Sequence, residues 1–87
     1  MDKEQILLYL SKIVERDIEE IKNLPENARL SDIGLDSIKF ISFVVELENA
    51  FGFVLSDRDL MLNNFETLAK TYQTLQKYFN PDNIGQY

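Results

Sequence analysis

Residues 34–51 read GLDSIKFISFVVELENAF, and this stretch decides how the rest of the chain is organised. Gly34 permits a tight turn, and Asp36 and Ser37 are residue types that accept hydrogen bonds from the free N–H groups at a helix start. Beyond them Phe40, Val44, Leu47 and Phe51 recur at +4, +3 and +4, which predicts a helix over residues 37–51 with Gly52 in the position of a C-terminal cap. Ile38, Ile41 and Val45 form a second apolar line on an adjacent face. Together the two lines are wider than a small bundle needs to bury, so part of the second is expected to stay exposed.

Working towards the N-terminus, residues 17–36 carry scattered apolar positions, Ile18, Ile21, Leu24, Leu30, Ile33 and Leu35, interrupted by Pro25 and Gly34. They read as a long first loop pinned to the core, with one short helical turn available at Ile18 and Ile21. Ahead of it, Ile6, Leu10 and Ile13 with Leu7 and Val14 predict an amphipathic helix over about residues 2–16. Towards the C-terminus, Ser56 followed by Asp59 resembles a capping box and predicts a short helix through about Leu62, which Asn63 and Asn64 end. Leu68, Tyr72, Leu75 and Phe79 then give a last helix over about residues 66–79, stopped by Asn80-Pro81. No segment alternates long enough to be a strand. The expected class is all-α, a small bundle of three main helices plus one short helix, with residues 1–79 as the domain and residues 80–87 as a tail or linker.

Composition narrows the chemistry. The chain has 87 residues, 45% hydrophobic and 28% charged, which fits one small soluble domain. With no His, Cys or Trp it holds no Cys/His metal site, no thiol nucleophile, no disulfide and no imidazole to activate a serine. Nine Lys and Arg against 15 Asp and Glu leave a net charge of −6, which repels phosphate backbones, so nucleic acid is not an expected partner. The apolar runs are too short for a membrane span or a cleaved signal peptide, and a cytoplasmic location is expected. Asp57 and Asp59 lack the central Gly and the closing Glu of a calcium loop.

Asp36-Ser37 at the mouth of a helix has two readings. Either residue can simply cap free N–H groups. Alternatively, the Ser37 hydroxyl stands where a phosphate ester would be stabilised by unpaired N–H groups and the positive end of the helix dipole. Gly34-Leu35-Asp36-Ser37-Ile38 resembles the attachment motif of acyl and peptidyl carrier proteins, in which the Ser after Asp receives a 4'-phosphopantetheine arm. The likeness extends over about residues 6–79, through Ile21, Leu30 and Ile33 in the long loop, Val44, Leu47, Glu48 and Phe51 in the second main helix, and Thr67 and Leu68 at the start of the last.

The resemblance implies a carrier rather than an enzyme: all-α and acyl-carrier-protein-like, with 4'-phosphopantetheine from coenzyme A attached to Ser37. Asp36 would be read by the phosphopantetheinyl transferase. The chain would then meet an acyl- or aminoacyl-loading enzyme and downstream enzymes, and a monomer is expected. The implied partner surface comprises Ile38, Lys39, Ile41, Ser42, Val45 and Glu48. Lys39 and Ser42 stand where carriers of primary fatty acid synthesis show acidic residues, which favours a specialised polyketide- or nonribosomal-peptide-like pathway with docking that leans on apolar contact. The alternatives are a primary-metabolism carrier and a cofactor-free helical interaction module in which Ser37 is only a cap. A hydrolase using Ser37 fails for want of a base, since Lys39 points elsewhere around the helix.

Overall fold

The structure, a computed structural model, describes residues 1–79. The expected stop at Asn80-Pro81 and the expected tail over residues 82–87 lie outside the described residues. Helix α1 is Lys3–Val14. Asp2 Oδ1 accepts from Gln5 N and Gln5 Oε1 accepts from Asp2 N, both at 2.9 Å, a reciprocal cap that satisfies two groups the helix cannot. The helix ends at Glu15, a non-glycine residue in the left-handed region at φ 57°, earlier than the expected residue 16. Ile6 and Leu10 are buried as expected, but the stripe continues through Val14, four residues on from Leu10, while Ile13 is half-buried at the edge of the core.

The long first segment is more ordered than a loop. Asp17 accepts from Glu19 N at 2.8 Å and starts α2, Ile18–Lys22, which plants Ile21 in the core. This realises the turn allowed for at Ile18 and Ile21. A 3-10 helix follows at Leu30–Ile33, and Leu30, Ile33 and Leu35 are all buried. The segment is stitched to the start of the last helix by Leu30 N donating to Glu66 O (2.8 Å) and Ala69 N donating to Glu26 O (2.9 Å), around an isolated antiparallel bridge between Arg29 and Thr67.

Helix α3, Ser37–Phe51, runs between the Asp36 cap and Gly52 at φ 71°. Its buried face is Phe40, Phe43, Val44 and Leu47. Phe43 is a core residue that the predicted stripe omits, although it lies three residues from Phe40 and four from Leu47, on the same face. The Phe65 ring packs against Phe40 and Phe43 with centroids 5.0 and 6.4 Å apart. Phe51, expected in the core, is half-buried and meets Tyr9 edge-on at 5.7 Å.

The short helix expected over residues 56–62 does not form. Ser56 Oγ does accept from Asp59 N at 3.3 Å, and Leu60 N reaches Ser56 O at 3.0 Å, so one turn closes. It goes no further: Met61 N donates to Asp59 O (2.9 Å) rather than to Asp57 O, and the Asn64 side-chain amide donates to Arg58 O (3.4 Å) and Asp59 O (3.1 Å), the carbonyls that Leu62 N and Asn63 N would need. A 3-10 helix at Leu62–Phe65 follows instead, across the asparagines predicted to break the pattern. Helix α4, Leu68–Phe79, begins after Thr67, whose hydroxyl accepts from Lys70 N at 3.2 Å. The class stands as expected: three main helices, α1, α3 and α4, with α2 as the short one and no strand among the described residues.

Candidate functional site

The approach to α3 is held tightly. Gly34 adopts φ 104°, Leu35 is buried, and Asp36 is extended at φ −92° and ψ −175°. Asp36 Oδ1 accepts from Lys39 N at 2.8 Å while Asp36 O accepts from Phe40 N at 2.8 Å, so this residue is the helix cap in side chain and backbone alike. Ser37 is the first residue of α3 and is exposed. Among the described residues its hydroxyl makes no hydrogen bond, and the N–H groups of Ser37 and Ile38 have no acceptor.

That arrangement fits a phosphodiester. The hydroxyl is unengaged and reachable, while two unpartnered N–H groups and the positive end of the 15-residue helix face an anion placed there. The other serines are placed differently. Ser11 is buried and donates to Leu8 O at 2.8 Å, Ser56 is bonded to Asp59, Ser31 sits in the first 3-10 helix, and Ser42 stands mid-helix.

Beside Ser37, α3 presents Ile38, Ile41 and Val45 at 79%, 48% and 45% exposure. They share this solvent face with Ser42, while Lys39 and Glu46 lie on its flank. Lys39 is half-buried and has no acidic partner among the described residues. Glu48, also expected on the partner surface, is half-buried, and its Oε2 accepts from Leu55 N at 2.8 Å, which anchors the chain leaving α3. Sequence reasoning missed Met61 and Leu62, which expose 53% and 41% at the second 3-10 helix. It also missed a cleft of about 310 Å³ lined by Ser31, Leu35, Leu62, Asn63, Phe65 and Glu66. Both depend on the two 3-10 helices, which have too few residues to show a period. Among the described residues no cluster of acidic side chains could hold a metal ion, and no helix is long and apolar enough to cross a membrane.

The family model described as the phosphopantetheine attachment site matches residues 4–75, from the first turn of α1 into α4. No curated protein and no solved structure matches the chain. Domains of the matched family are non-catalytic carriers that bear covalent 4'-phosphopantetheine and interact with a phosphopantetheinyl transferase and pathway enzymes. With most of its length matched and its helices in the expected all-α bundle, the chain belongs to the phosphopantetheine-attachment family and is a carrier protein, not an enzyme.

Proposed function

We propose that Ser37 is the attachment residue and that the carrier shuttles thioester-bound acyl or aminoacyl groups in a specialised, polyketide- or nonribosomal-peptide-like pathway. The observation that carries the first half is the free, exposed Ser37 hydroxyl on the first turn of α3, directly after a capping Asp36. Asp36 serves the transferase as well as the fold: Oδ1 holds Lys39 N, and Oδ2 makes no hydrogen bond among the described residues. The arm, once bound, supplies the thiol on which cargo rides as a thioester, chemistry that a chain without cysteine does not offer itself.

The second half rests on the face beside Ser37. Its centre is apolar and uncharged, Ile38, Ile41 and Val45 with Ser42, and past the capping Asp36 the charges on its flank are the cation Lys39 and the anion Glu46. Partners that dock there gain chiefly by burying apolar surface, and Glu48 contributes less because it is engaged with Leu55. The carrier unit is residues 1–79, with residues 80–87 as a tail or linker. A cytoplasmic monomer accords with coenzyme A-dependent modification.

Mass spectrometry after incubation with a transferase and coenzyme A tests the attachment. Wild type gains the mass of one arm and Ser37→Ala gains none; an arm on the alanine variant refutes the assignment. The pathway is tested by the salt dependence of loading by the cognate enzyme, which is shallow for apolar docking and steep for charge steering. Steep dependence, or ready use by fatty acid synthesis enzymes, reassigns the protein to primary metabolism.

A further inference from the structure

Gly34 sets the direction in which α3 begins, and its φ of 104° is defined by the two peptide groups that flank it. Those peptides carry four polar atoms, and all four are held. Gly34 N donates to Ser31 O at 3.2 Å, Leu35 N donates to Leu30 O at 3.0 Å, and Gly34 O accepts from Asp36 N at 3.0 Å. The fourth, Ile33 O, lies at the end of a 3-10 helix where no backbone donor is available within the element. It accepts from Nε of Arg16 at 3.2 Å, from 17 positions earlier in the chain.

Arg16 is aimed at that carbonyl by its own surroundings. The left-handed turn at Glu15 swings the chain back so that Arg16 N donates to Ser11 O at 3.1 Å. Its Nη1 meets Glu20 Oε2 at 2.6 Å, which fixes the guanidinium from the other side. Glu20, Arg16 and the Ile33 carbonyl thus form a relay from α2 to the peptide that precedes Gly34. Among the described residues it is the one side-chain tie in a framework otherwise made of backbone.

We propose that Arg16 is a positioning residue for modification of Ser37: by gripping Ile33 O it holds the Gly34 peptide, and with it the Asp36-Ser37 pair, in the orientation the transferase reads. The proposal rests on the reading of Ser37 as the attachment residue. Without the grip the turn samples other orientations, and a substrate that is competent for only a fraction of the time shows a weaker apparent affinity with unchanged chemistry. The effect therefore belongs in KM for the carrier and not in kcat.

Steady-state kinetics of arm transfer, with the carrier as varied substrate, test this in wild type, Arg16→Gln, Arg16→Lys, Glu20→Gln and Ser37→Ala. Arg16→Gln is expected to raise KM by about tenfold or more, the scale of one charge-assisted hydrogen bond to a partly buried carbonyl, with kcat within about twofold. Arg16→Lys, which keeps a cationic donor, recovers part of the loss, and Glu20→Gln falls in between. The Gly34 amide resonance should shift in Arg16→Gln. Unchanged KM in a folded Arg16→Gln overturns the proposal, as does a raised KM with an unmoved Gly34 amide, which would mean that Arg16 touches the transferase directly. A KM rise that follows lost thermal stability and is not recovered by lysine overturns it too. Should Arg16→Gln fail to fold, Glu20→Gln decides by the same KM and amide criteria. An arm on Ser37→Ala defeats the attachment reading, whereas a silent Ser37→Ala beside a wild-type KM for Arg16→Gln defeats only the positioning role.

Discussion

The Tyr78 hydroxyl donates to Asp59 Oδ2 across 2.7 Å and so ties the last turn of α4 to the turn that follows α3. Lys77 Nζ donates to Oδ1 at 2.8 Å, Ser56 Oγ donates to Oδ2 at 3.2 Å, and Ser56 N donates back to the Tyr78 oxygen at 3.0 Å. The Lys77 contact foremost, then Tyr78, hold the Asp59 carboxyl below its ordinary value, against burial that pushes it up.

A carboxyl depressed in the folded state stabilises above its unfolded value and loses that contribution as pH falls through the folded one. Asp59→Asn should therefore lower stability at pH 7 by about 1 kcal/mol, roughly 4–8 °C in Tm. The gap to wild type should close as pH drops below about 4. Thermal melts at pH 7 and pH 3 check this, and a gap that persists undiminished at pH 3 contradicts it.

Gly34→Ala isolates the cost of backbone conformation, because a Cβ at Gly34 meets nothing within 4 Å while φ stands at 104°. The expected loss is about 1–2 kcal/mol, with Gly34→Asn milder and Gly34→Val worse. Denaturant melts of the three variants give the ranking.

The cap role of Asp36 and its proposed charge role toward the transferase can be separated by two substitutions. Asp36→Ala should cost about 0.5–2 kcal/mol, and Asp36→Asn almost nothing, since asparagine caps as well. Both should slow arm transfer if the transferase reads the carboxylate. A wild-type rate in Asp36→Asn would leave Asp36 as a cap alone.

On α3, residues two apart should behave oppositely. Phe43→Ala empties a fully buried site and should cost about 3–5 kcal/mol, more than truncation of the half-buried Phe51. Val45→Ala, at 45% exposure, should stay below about 1 kcal/mol and weaken loading by the cognate enzyme. Chemical denaturation beside a loading assay separates the two faces, and equal destabilisation would make the Val45 face part of the core.

What was legible in the sequence was what local chemistry specifies. The helix over residues 37–51, its Asp36 and Gly52 ends and its exposed second line all follow from spacing and capping types, and each is where the spacing puts it. What was not legible depends on partners far along the chain. The Ser56-Asp59 signature is genuine, but Asn64 claims the carbonyls that would extend it and Tyr78 claims Ser56 N. Glu15 turns left-handed without being glycine, and the hold of Arg16 on Ile33 O spans two elements. Glu48 has the composition of a surface acid and the position of an anchor, a distinction made only by Leu55 N. Phe43 was within reach of the same periodic rule that found Phe40 and Leu47.

The exposed side of α3 has a further consequence in the traffic between enzymes. Ile38 to Val45 spans only about 10 Å of helix axis, far less than the footprint of one standard protein interface. If partners dock on this patch as proposed, they must take turns, each excluding the rest while bound. Selection then falls on departure as much as on capture: a partner that clings stalls every later step, and the pace of the line is governed by how soon each enzyme lets go.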